Sequence, residues 1–143
     1  MRTLLFKVTL LALIAAPLTV FGSKGELQGK YVKEKTLQKE YNVNSTALLK
    51  VNNSYGTLSL TSWNEDRVVI EVHIKTSGNN EAKVQERLDQ ITVEFEGNQE
   101  VVSAKTKFGQ KKNNLWSWGK KNKVNMQVNY TIKLPVKNCV HLS

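Results

Sequence analysis

From Val124 to Leu134 every second residue is apolar. Val124, Met126, Val128, Tyr130, Ile132 and Leu134 alternate with Asn125, Gln127, Asn129, Thr131 and Lys133. Successive side chains on a strand point to opposite faces, so this period describes a strand with one buried face. Pro135 closes it, because proline has no N–H to give to a ladder. The segment RVVIEVHIK (67–75) repeats the pattern, with Val68, Ile70, Val72 and Ile74 on one face. Arg67, Glu71, His73 and Lys75 share the other face, where Val69 breaks the polarity.

The remaining segments extend this period. Leu49 and Val51 alternate with Leu48 and Lys50, and the turn signal NNSYG (52–56) follows. Leu58 and Leu60 oppose Thr57, Ser59 and Thr61; WNED (63–66) then forms a second turn. NNSYG reads as turn chemistry, in which asparagine bonds its own backbone and glycine allows positive φ. After these strands, SGNNEAKVQERLDQI breaks the period. Asn79 or Asn80 can cap, Glu81 favours the first turn, and Val84, Leu88 and Ile91 form a narrow stripe. This predicts one short amphipathic helix over about 80–91, laid on a sheet. ITVEF and VVSAKTKF resume the strands, with Ile91, Val93 and Phe95, then Val102, Ala104, Thr106 and Phe108, facing one way. The expected fold class is mainly β with one helix.

At the N-terminus, Arg2 and Lys7, an apolar run from Val8 to Phe21 and small residues at Gly22 and Ser23 have the layout of a secretory signal. The expected organisation is a signal peptide over 1–22, a polar linker over 23–35 and one domain over 36–143. Export places the protein in the periplasm, on the outer-membrane surface or outside the cell. The only cysteine, Cys139, excludes an internal disulfide and a cysteine-based zinc cage. It reads as a small apolar strand residue. The net charge of +9 is regional: residues 101–143 hold nine lysines and no acid, and Glu100 is the last carboxylate. Such asymmetry fits a surface patch.

The end of the chain echoes an earlier segment. LKVN (49–52) and VHLS (140–143) share the order apolar, polar, apolar, small polar. Periodic strand–turn units are the mark of repeat β architectures, and the last unit then looks like a rung where a longer stack breaks off. On LLKVNNSYGTLSLTSWNEDRVVIEVHI, AKVQERLDQITVEF, VSAKTKF and NMQVNYTIKLP, the chain resembles the N-terminal part of a bacterial family. Its members are secreted β-strand-repeat proteins of unknown function, described as candidate adhesins. They are related to the auto-transporter adhesin head (GIN) domains and are common in Bacteroidetes. The resemblance covers about residues 30–143. It implies a right-handed β-helix-like stack, apparently truncated here, and carries no catalytic residues.

Nothing in the sequence converges as acids, bases or nucleophiles must for catalysis. His73 and His141 have no carboxylates at metal-ligand spacing, so neither a cofactor nor a metal is expected. WNED could offer oxygen ligands to Ca²⁺, but it reads better as an acidic turn. One local anomaly remains: KKNNLWSWGKKNK (111–123), between two strands. Trp116 and Trp118 fall on one side if extended, flanked by Lys111, Lys112, Lys120, Lys121 and Lys123. Two indoles among lysines could stack on sugars, sit at a headgroup layer or stack on nucleobases. They could equally fold back on the sheet, with the lysines keeping the edge from pairing. Export disfavours nucleic acid. The sequence-based expectation is a non-enzymatic, adhesin-like envelope module binding glycan, another envelope polymer or an envelope protein. The alternative is a periplasmic structural or sensing module docking on an acidic protein or anionic lipid headgroups through residues 101–143.

Overall fold

The computed structural model describes residues 27–109 and 123–143. The expected signal peptide lies outside the described residues. Eight strands and one helix follow in the order β1 (Tyr31–Asn42), β2 (Leu48–Asn52), β3 (Leu58–Trp63), β4 (Arg67–Gly78), α1 (Glu81–Gln90), β5 (Ile91–Gly97), β6 (Val101–Phe108), β7 (Asn125–Pro135) and β8 (Cys139–Leu142). The described residues are mainly β with one short helix, as the alternation predicts. Two four-stranded sheets form, ordered β1-β4-β7-β3 and β5-β6-β2-β8. Pairs β2/β6, β2/β8 and β3/β7 are parallel, whereas β1/β4, β4/β7 and β5/β6 are antiparallel. The expected right-handed β-helix-like stack goes further than these two mixed sheets.

One core joins the sheets. Val68, Ile70, Val72 and Ile74 of β4 and Val128, Tyr130, Ile132 and Leu134 of β7 meet Leu49, Val51, Val102, Ala104 and Ile91 from the other sheet. The helix is capped by Asn80, whose side chain accepts from Lys83 N at 3.1 Å. Its Val84 and Leu88 are buried, and Thr76 Oγ1, on the inward row of β4, donates to Val84 O at 3.0 Å. The helix thus covers the core side of β4 and also packs on β1. Ile91, placed by its spacing on the helical stripe, is instead the first residue of β5 and is fully buried.

The linker expected over 23–35 is corrected in its last five residues. Tyr31 begins β1, which pairs with β4 along its whole length, Tyr31 opposite Gly78 and Asn42 opposite Arg67. Its core-side row is Tyr31, Lys33, Lys35, Leu37, Lys39 and Tyr41, so apolar alternation is masked by lysines. Lysines there suit an edge strand, and Lys33 also pairs with Glu81 of the helix at 2.8 Å.

A polar relay crosses the core between the sheets. Tyr130 Oη donates to Thr106 Oγ1 at 2.7 Å, and Thr106 donates to Asn53 Oδ1 at 3.2 Å. Asn53 Nδ2 donates on to Val128 O at 2.9 Å. Burial raises the Tyr130 pKa above the ordinary phenol value of 10.0, opposed in part by the Thr106 hydrogen bond. The unfolded phenol ionises near that value while the folded one keeps its proton. The stability it contributes is therefore complete below pH 10 and falls as pH rises toward the folded value. Tyr130→Phe is expected to cost about 1 kcal/mol at pH 8. That cost should shrink above about pH 10, measured by urea midpoints at both pH values.

Candidate functional site

The outer face of the first sheet carries a concave polar patch around one indole. Gln38 and Glu40 of β1, Trp63 of β3, Arg67, Val69 and Glu71 of β4, and Thr131 and Lys133 of β7 enclose about 280 Å³. Register explains how they meet. Trp63 lies opposite Pro135, Thr61 and Val69 flank Lys133 from either side, and Glu40 of β1 lies opposite Val69. The chain passes from β3 to β4 across the end of β7, and Trp63 closes that crossing by donating from Nε1 to Arg67 O at 2.9 Å.

Charges are arranged around this indole. The Arg67 guanidinium carbon lies 4.7 Å from the ring centroid, and Lys133 Nζ lies 5.5 Å from it, both in reach of cation–π attraction. Arg67 bonds Glu65 at 2.5 Å and Glu40 at 2.8 Å. The hydrogen bond to Glu65, then that to Glu40, raises the guanidinium pKa above its usual value. Glu65 is thus engaged by Arg67, which makes WNED an ion-paired turn. Among the described residues no group of three or more His, Cys, Asp or Glu could hold a metal ion.

The basic segment singled out in the sequence is only partly in view. Lys111, Lys112, Trp116, Trp118, Lys120 and Lys121 lie outside the described residues, whereas Lys123 is described and exposed. The roots of the segment are placed. Gly109 N donates to Gln90 O at 2.7 Å beside the end of α1, and Lys123 O lies next to Gly78 at the end of β4. Trp63 sits by Arg67, at the opposite end of that 12-residue strand. At about 3.3 Å per residue the two places are roughly 35 Å apart.

Cys139 is a strand residue but exposed, on the edge strand β8. The echo between LKVN and VHLS is a structural register: Leu49 pairs with Val140, Lys50 with His141 and Val51 with Leu142. Asn52 Nδ2 and Ser143 Oγ, the last pair of the echo, are 3.0 Å apart. Sequence reasoning reached Trp63 only as part of a turn and did not reach Gln38 and Glu40, because β1 was not recognised. The weak alternation of YVKEKTLQKEYN was the available signal.

No family model matches the chain, and no curated protein matches it. Among solved structures, the fold is similar to that of a candidate cell adhesion protein from Clostridium sporogenes, with a TM-score of 0.41 and 18% identity. The match covers 78% of this chain and 47% of that one, so this chain spans about half of that protein's length. Among the described residues no helix is long and apolar enough to cross a membrane.

Proposed function

We propose that the chain is a non-enzymatic, exported β-strand-repeat module of an adhesin-like envelope protein that contacts glycan or another envelope polymer. The observation that carries this reading is the Trp63 patch: an indole beside a guanidinium, an ammonium, two carboxylates, an amide and a hydroxyl on an open sheet face. A sugar ring offers C–H groups to an indole and hydroxyls to flanking polar side chains, the combination this patch supplies. Its shallow shape suits a chain of sugars passing over the face. The basic tryptophan segment around Trp116 and Trp118 is a second contact in this reading, and its roots fall at the other end of β4. The parallel pairs β2/β8 and β3/β7 are taken as rungs of a β-helix-like stack.

Binding of the full chain to peptidoglycan fragments and to anionic and neutral polysaccharides tests this. Glu71→Ala with Lys133→Ala should weaken binding by about tenfold, with the thermal midpoint nearly unchanged, because both side chains are at the surface. Trp63→Ala should weaken it further, with some loss of stability from the crossing. A parallel arm, Trp116→Ala with Trp118→Ala, assigns the second contact. Binding unaffected by all three variants, or no binding to any polymer, rejects the glycan reading.

A further inference from the structure

Val69 is an apolar side chain on the outward row of β4, a row it shares with Arg67, Glu71, His73 and Lys75. The core accounts for the inward row, Val68 and Ile70 included, but not for an outward valine among charges. Val69 lies half-buried in the concave patch, with Glu40 opposite it on β1 and Lys133 opposite it on β7. The patch sits at the end of β4 away from the roots of the 110–122 segment.

The charges around Val69 divide into two groups. Arg67 is held by Glu65 and Glu40, so its charge is met from within the protein. Glu71 and Lys133 form no ion pair among the described residues. Glu71 has neutral partners on both sides, Gln38 on β1 and Thr131 on β7. His73, the next residue of its row, lies 3.3 Å from Glu34. Lys133 Nζ is 5.5 Å from the Trp63 ring centroid. Around Val69 the patch therefore presents an acceptor in Glu71 and a donor in Lys133, beside an indole. Glu40, Glu65 and Glu71 outnumber Arg67 and Lys133, so an anionic ligand meets net repulsion.

We propose that, on the glycan reading above, this patch selects sugars that carry an N-acetyl group. An acetamide holds an N–H, a carbonyl oxygen and a methyl in one plane. The Glu71 carboxylate accepts from the N–H, the Lys133 ammonium donates to the carbonyl oxygen, and the methyl rests on Val69. Trp63 stacks on the sugar ring. Glu71 and Lys133 are diagonal neighbours on adjacent strands, a relation that sets positions about 7–8 Å apart. That leaves room for one planar amide with a hydrogen bond of about 2.9 Å on each side. A hydroxyl at the same carbon is too short to reach both charges and leaves Val69 uncovered. A free amine brings a cation against Lys133.

Titration calorimetry of the full chain with cellotetraose, its 2-amino analogue and its 2-acetamido analogue tests this, because the three differ only at that carbon. The 2-acetamido sugar should bind at least about tenfold tighter than either of the others. Glu71→Met, Lys133→Met and Val69→Ser should each lower that preference at least about threefold, with far-ultraviolet circular dichroism unchanged. Glu34→Gln, farther along the same face, should leave it intact. A peptidoglycan glycan strand, another source of N-acetylated sugars, is titrated alongside; tighter binding of either N-acetylated ligand supports the proposal and assigns the source. If the three sugars bind alike and Trp63→Ala weakens them all, the patch binds glycan without reading the acetamide. That result overturns this proposal and leaves the glycan reading standing. Binding confined to polymers without N-acetyl groups has the same meaning. A preference that survives Glu71→Met, Lys133→Met and Val69→Ser also overturns it, and no binding of any sugar or polymer rejects both.

Discussion

Gly56→Ala is expected to cost about 3 kcal/mol or more, the upper part of the range for forcing an atom into a filled site. A Cβ at Gly56 would sit 1.8 Å from Val128 O and 2.4 Å from Val128 C. Both are backbone atoms in the middle of β7, so no side-chain rotation relieves the clash. The corner is held to β7 from several directions: Val128 N donates to Tyr55 O, Tyr130 N to Thr57 O, and Asn53 Nδ2 to Val128 O. Moving Gly56 outward stretches all of these and pulls the relay through Thr106 and Tyr130. The measurement is urea unfolding followed by tryptophan fluorescence. A loss below about 1 kcal/mol shows that the corner yields without disturbing β7.

The NSYG corner also differs from its sequence-based explanation. Gly56 does not supply the positive φ; Tyr55 does, at 69°, and no described glycine has one. The Asn53 side chain bonds neither its own backbone nor its own turn, but Val128 O of β7 and the Thr106 hydroxyl. The residue types are those of a turn, yet the reason for the glycine is the close approach of two backbones.

Ile132→Ala is expected to cost about 2–5 kcal/mol, as transfer and cavity terms add in a site that cannot collapse. Ile132 is fully buried, between Ile70 of β4 and Leu60 of β3 in its own row. Leu60→Ala, in the same row at the open edge, should cost the isolated chain less than half as much. Its side chain is already 37% exposed and leaves a dent rather than a cavity. Urea midpoints of both variants at low protein concentration check the contrast. Equal losses show that the β3 edge is as well packed as the centre of the sheet.

Much of the fold was legible because the strand period is two and the core is one-sided. Val68 to Ile74 and Val128 to Leu134 are buried as their alternation requires, and Asn80 caps the helix as its position implies. Where burial is partial the signal fades. β1 hid its row behind Lys33, Lys35 and Lys39, and Leu60 shared the alternation of the core without its burial. The Trp63 patch draws Gln38, Glu40, Arg67, Glu71 and Lys133 from three strands, and their convergence depends on pairing partners that alternation does not name.

By itself the sequence determined which face of each strand is apolar, where the helix starts, how charge divides along the chain, and that LKVN is echoed by VHLS. These are local properties, set by side-chain chemistry and spacing. Only the tertiary structure decided that β7 inserts between β3 and β4, and that the echo is a parallel register of β2 with β8. Those outcomes rest on hydrogen bonds between residues far apart in the chain, and every strand offers the same backbone groups to any partner.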